Sequence, residues 1–314
     1  MVRVRLAAPA DVEDIVRVVM AAMPYDPQWD YRFPRRGKFA EDHYRYTKML
    51  YEHFLDAAND DWRVLVVELT SGEEEGPTVA HQGAPPVPWC MSSVGDGNDD
   101  VQSGAQGSKI VAFSVWDVSY IKKRIHGSSY QPQNPSLYIA RHGGDTRRDA
   151  NPARVKASKD SAADSKRHFT KYGRYAIRLQ ILGTHPAHWR HGYASALCHW
   201  GMKIAAEEGL VVQVVAGKMG HKLYTHLNFK TLGEVVKQVP GEEMKVISHA
   251  MVFDPKEQAR SVASYEGNKA ISVAFCVQDT NYGIHEHCQR KDVLKHIGIV
   301  HSPMLQFDLR GLRI

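Results

Sequence analysis

The rhythm of hydrophobic and polar positions changes repeatedly along this chain, and each change marks an element. Val2–Ala8 reads as a short strand. Pro9-Ala10-Asp11 then gives a helix-start signal, and Ile15, Val18, Val19 and Ala22 recur at helical spacing. Pro24 to Arg36 reads as a loop of unusual, aromatic composition, and residues 41–58 as a tyrosine-rich helix. Trp62–Leu69 is a nearly continuous β-branched run, which predicts a strand covered on both faces. Ile110–Tyr120 resumes strand character. Further on come a strand at Ala176–Thr184, a helix at His191–Glu208, a strand at Val211–Ala216 and a short helix at His221–Leu227. Strands at Glu234–Val239 and Met244–Phe253 close the pattern. There is no internal repeat.

Two stretches break this order. Ser71–Ser108 holds seven glycines, four prolines and no Lys or Arg, a composition that predicts a floppy insertion between strands. Ile121–Arg174 carries 13 Lys/Arg against four Asp, so the net +5 of the chain divides into +9 here and −4 elsewhere. Its basic residues are interleaved with Ser, Asp, Ala and Gly without a nucleic-acid motif, so it reads as a solvated, partly disordered lid. Such a lid would steer an anionic ligand by long-range attraction. The result is one domain over residues 1–255, with insertions at 71–108 and 121–174 and an extension at 256–314. One strand, Ala270–Val277, is expected in that extension.

Composition narrows the class. With 43% hydrophobic and 24% charged residues, the 314-residue chain can bury a sizeable core and is not disordered throughout. No apolar run approaches the ~20 residues that span a bilayer, and acidic residues follow the N-terminus too closely for a signal peptide. Cys90, Cys198, Cys276 and Cys288 lie far apart, which argues for a reducing compartment and a cytoplasmic protein. His185, His188 and His191 straddle a proline and a loop rather than one helical face, and no metal site is expected.

The chemistry gathers in Leu179-Gln-Ile-Leu-Gly-Thr-His-Pro-Ala-His-Trp-Arg-His-Gly-Tyr-Ala-Ser-Ala-Leu. A strand ends in His-Pro, a short loop follows, and a Gly-x-Ala turn opens a helix. Gly192 and Ala194 let the backbone approach a ligand closely, and the helix start offers N–H groups and a positive dipole end. That is a ready site for a phosphate or pyrophosphate. Ala194, Leu197, Cys198, Gly201, Ile204 and Ala205 form a narrow face of small residues suited to close packing on a sheet.

Here the chain resembles the GNAT superfamily of acetyl-CoA-dependent N-acetyltransferases, most closely its fungal members. Trp189-Arg190-His191-Gly192-Tyr193-Ala194 matches the family's Gln/Arg-x-x-Gly-x-Gly/Ala signature, and Leu223-Tyr224-Thr-His-Leu-Asn-Phe229 matches a second block. The order of elements from Val2 to Asp254 fits as well. The resemblance implies an α/β fold: a mixed, mostly antiparallel sheet with splayed central strands, flanked by helices. It implies acetyl-CoA as co-substrate, with pyrophosphate on the N–H groups of Arg190, His191, Gly192, Tyr193, Ala194 and Ser195. Pantetheine would pair with Leu182, Gly183 and Thr184 as a pseudo-strand, where a backbone N–H would stabilise the oxyanion. Tyr224 would protonate the leaving thiolate.

Three positions depart from the family pattern. Trp189 replaces Gln or Arg, Arg178 stands where some members keep a catalytic glutamate, and Gly217 replaces Asn or Ser. Candidate bases are therefore Asp117, near its strand end, and His185, at the end of the splayed strand; each also reads as a plain structural residue. The acceptor is expected over the loop between the first two helices, where Tyr25, Asp26, Trp29, Asp30, Tyr31 and Phe33 would form aromatic walls and acidic contacts for an amine. Those aromatics read equally well as packing for the second helix. The partner expected is a small-molecule amine, with no nucleic acid and no membrane, and a homodimer is compatible with the sequence. A non-catalytic acyl-CoA-binding protein and a protein or peptide amine acetyltransferase are the alternatives.

Overall fold

The structure, a computed structural model, describes residues 2–69, 109–127, 129–260 and 305–307. The insertion at 71–108 and the expected strand at Ala270–Val277 lie outside the described residues. Eight strands form one sheet: β1 (Val2–Leu6), β2 (Trp62–Leu69), β3 (Lys109–Asp117), β4 (Ile177–Thr184), β5 (Val212–Ala216), β6 (Lys230–Gln238), β7 (Lys245–Phe253) and β8 (Leu305–Phe307). Their order is β6-β7-β5-β4-β3-β2-β1-β8. Among the described residues only β4–β5 and β1–β8 run parallel. The expected mixed, mostly antiparallel α/β architecture is present.

Helices cover both faces. α1 (Val12–Ala22) buries Ile15, Val16, Val18 and Val19, and with α3 (Ala40–Leu55) it packs on Val66, Phe113 and Val115. On the other face α7 (Tyr193–Glu208) buries Leu197, Cys198, Ile204 and Ala205 against Trp116, Ile177 and Val212. Its small-residue face allows the close approach expected: a Cβ on Gly201 would lie 2.2 Å from the Trp116 indole. The aromatic loop contains an unexpected helix, α2 (Pro27–Arg32), because Asp26 accepts from the Gln28 N–H and caps it ahead of Pro27.

The basic segment is not a partly disordered lid. It folds into α4 (Tyr120–His126), α5 (Pro135–Arg141), α6 (Pro152–Asp164) and a 3-10 stretch at Ser165–Tyr172. Its positive charge is met by carboxylates of the acidic remainder: Arg148 by Asp42 at 2.7 Å, Arg154 by Glu242 at 2.8 Å, and Lys122 by Asp60. Deeper down, fully buried Asp149 accepts from His43 Nδ1–H at 2.7 Å and from Arg147 Nε and Nη2. Burial works to raise the Asp149 pKa, but its bonds to His43 and Arg147 prevail and hold it low. His43 Nε2 accepts from Trp29 Nε1–H at 3.1 Å, so the neutral Nδ1–H tautomer ties the segment to α2.

Candidate active site at a splayed strand pair

β4 contains a bulge. Leu179 pairs with Trp116 and Ile181 with Val115, leaving Gln180 without a partner on β3. Ile177 and Leu179 belong to the α7-side core, whereas Ile181 packs with the α1-side core. At the same level the strand parts from its other neighbour. β4 and β5 pair at Ile177–Leu179 with Val212–Val214 and no further, although β4 runs on to Thr184 and β5 to Ala216. β5 meanwhile stays paired to β7 through Ala216. The 180–184 edge of β4 therefore borders a gap in the middle of the sheet. The expected splay is present.

The loop after β4 closes the top of this gap. Pro186–His188 form a 3-10 turn, and Trp189 Nε1–H donates to the Thr184 carbonyl at 2.7 Å. That bond explains the first departure: the indole fastens the loop to the strand. Arg190 (φ 68°) and Gly192 (φ 81°) both take the left-handed conformation before α7 begins. Gly192 is required for that backbone, not by crowding, since a Cβ there would meet nothing within 4 Å. The Ala196 N–H bonds the Gly192 carbonyl at 3.0 Å, so the N–H groups of the preceding turn aim out of the helix end. An open strand edge beside such a helix start suits an extended ligand carrying phosphates.

Tyr224 lies on α8 (Lys218–His226), which follows β5 directly, and is 4% exposed. Burial, with Cys198 nearby, pushes its phenol pKa well above the usual value, so it is a neutral proton donor near pH 7. The two candidate bases fare differently. Asp117 pairs with Arg178 at the zipped end of β4, accepts from the Ser119 N–H at 2.9 Å and meets Arg178 Nη1 at 3.5 Å. It caps a strand end and is not brought to the gap. His185 directly follows the unpaired end of β4, but its Nδ1 accepts from the Ala187 N–H, and burial with Arg17 nearby lowers its pKa to about 4. That makes a weak base with its lone pair engaged.

On the side where the acceptor is expected, the aromatic residues are largely core. Trp29 and Phe33 pack with α1 and α3, and Tyr31 is 1% exposed beneath Arg154. They hold α2 down on the core. Asp30 is turned outward to Arg36 at 2.6 Å. Tyr25 and Asp26 remain at the gap: Tyr25 is 40% exposed and meets Trp189 edge-on at 4.8 Å. Asp26 approaches Gly217, at the end of β5, so closely that a Cβ there would lie 3.0 Å from Oδ2 and 2.9 Å from Gln28 Nε2. The third departure from the family pattern thus makes room for α2.

The sequence reading missed Gln28, Lys237 and Ser248. Lys237 is 7% exposed, and its Nζ donates to Gln28 Oε1 and to Ser248 Oγ at 2.6 Å. Burial, then repulsion from Arg32, lowers its pKa to about 8, with Asp26 opposing. A lysine in phase with Val235 on one strand face was the available signal.

No family model matches the sequence, and no curated protein matches it. Among solved structures, the fold is similar to a "histone acetyltransferase HPA2 and related acetyltransferase" from Corynebacterium glutamicum, at 16% identity and a TM-score of 0.42, over 81% of this chain and 96% of that one. It is similar to a polyamine N-acetyltransferase of Drosophila melanogaster that forms N-acetylagmatine, at 12% identity and a TM-score of 0.43, over 81% and 100%. It is also similar to the PaiA N-acetyltransferase of Thermoplasma acidophilum, solved with coenzyme A, at 10% identity and a TM-score of 0.38, over 81% and 99%. Among the described residues no helix is long and apolar enough to cross a membrane.

Proposed function

We propose that this chain is an acetyl-CoA-dependent N-acetyltransferase of GNAT type, acting on a primary amine of a small molecule, with residues 1–255 as its catalytic unit. The observation that supports this most is the gap between β4 and β5, capped by the left-handed loop and helix start at Arg190–Ser195. Acetyl-CoA, when bound, supplies an acyl group activated as a thioester. The N–H groups of residues 190–195 hold the anionic end, and the main-chain edge at Leu182–Thr184 holds the extended arm. Transfer makes a C–N bond and breaks a C–S bond. Tyr224 holds a proton at its phenol oxygen for the departing thiolate, and the proton lost by nitrogen passes to water.

The test is thiol release across a panel of primary amines. Tyr224→Phe is expected to lower kcat about 100-fold while leaving the Kd for CoA within about two-fold. An unchanged kcat removes Tyr224 from this role. A second reading, a protein that binds acyl-CoA without transferring its acyl group, is favoured by the weak His185 and the distant Asp117. Saturable CoA binding with no thiol release from any amine would establish it.

A further inference from the structure

Beside the gap lies a cluster whose charges do not cancel. Lys237 reaches it from β6 and Arg32 from α2, with Asp26 as the carboxylate whose charge acts on both. Both Asp26 oxygens are taken up by Gln28: Oδ1 accepts from its N–H at 2.9 Å and Oδ2 from its Nε2 at 3.2 Å. Lys237 Nζ bonds two neutral oxygens, those of Gln28 and Ser248. Arg32 donates to the Gln28 carbonyl at 3.2 Å and lies over the Trp29 and Phe33 rings. Among the described residues neither cation has a carboxylate within ion-pair distance. Arg147, which also faces Arg32, is matched by Asp149, so Arg32, Lys237 and Asp26 leave one positive charge in excess; Lys237 is buried, and Arg32 and Asp26 are half-buried.

A buried charge is costly unless an opposite charge accompanies it, and neutral hydrogen-bond acceptors repay only part of that cost. The unbalanced cluster adjoins Gly217, which Asp26 and Gln28 crowd at the end of β5, so it borders the acceptor side of the gap. We propose that the acceptor carries a carboxylate as well as its amine, and that Lys237, with Arg32 beside it, receives that carboxylate. The single negative charge matches the single excess positive charge. Lys237 is then a specificity-determining residue, and the preferred substrates are amino acids or other aminocarboxylates rather than simple polyamines. The inference rests on the acetyl-transfer reading for the identity of the ligand as acceptor.

Calorimetry on the full chain with CoA present, using pairs that differ only by a carboxylate, tests it: ornithine against putrescine, and phenylalanine against phenethylamine. The acid of at least one pair should bind about ten-fold tighter or better. Lys237→Met should bring the two members within about two-fold of each other, and Lys237→Arg should keep the preference. Equal affinity, tighter binding of the decarboxylated amine, or no binding of either acid to the wild-type protein overturns the proposal, whether or not the variants fold. A preference that persists in a folded Lys237→Met protein overturns it too. Thiol release is read separately. Acid binding that depends on Lys237 without thiol release would sink the transferase reading and leave the carboxylate site standing. Rapid release with decarboxylated amines alone would do the reverse.

Discussion

Two loops meet where Tyr25 packs against Trp189, and they are built in opposite ways. The loop from Pro186 to Gly192 offers main chain: its backbone is left-handed at two residues and its N–H groups face outward. The loop from Met23 to Phe33 offers side chains, and most of them are spent on holding α2 in place. A main-chain site depends on local backbone geometry, which a few residues dictate. A side-chain site depends on what packs against it from far along the chain.

The sharpest way to break this contrast is to alter the main-chain loop. Gly192→Glu should weaken CoA binding by about 100-fold or more, measured by calorimetry, since it adds strain and a negative charge at the phosphate end. Gly192→Asn, which tolerates a left-handed backbone, should stay within about ten-fold. Retained affinity in the glutamate variant would detach that loop from cofactor binding. On the other side, Trp29→Ala should cost about 3 kcal/mol in chemical denaturation, as a core truncation does. Tyr25→Ala should cost less than about 1 kcal/mol and raise the acceptor KM instead. The reverse order would restore Trp29 as a wall of the site. The smallest effect concerns pH. His185 has its pKa depressed to about 4, so the unfolded chain binds a proton more readily between about pH 6.5 and 4. Its contribution to stability is present above pH 6.5 and is lost as pH falls through that window. His185→Gln should flatten the stability profile there by up to about one proton's worth, read from denaturation curves at several pH values.

This contrast also explains what the sequence disclosed. The strand–loop–helix unit at Ile177–Glu208 was legible because its apolar periodicity, Gly192 and the proline are all local. The splay was inferred from resemblance, and the pairing bears it out. Trp29, Tyr31 and Phe33 stay open between wall and packing in the sequence because their burial depends on partners such as His43 and Arg154 from other elements. The basic segment was misjudged for the same reason. Asp149 and His43 are separated by 106 positions, and nothing local to either announces the pair. Lys237 shows a third case: its strand phase was visible, but the charge imbalance around it appears only once Arg32 and Asp26 are set beside it.

The bulge at Gln180 has one more consequence. Along β4, the positions that face α7 are odd-numbered before it, at Ile177 and Leu179, and even-numbered after it, where Leu182 joins the α7-side core. The strand is thus written in two reading frames, and Gln180 is the frameshift between them. Deleting this exposed residue would remove no core contact of its own and would leave the faces of Ile181 to Thr184 unchanged, since Ile181 would follow Leu179 in plain alternation opposite Val115 and Trp116; what it would remove is the local bend of the strand beside the gap. A bend, rather than a side-chain contact, is what this position encodes.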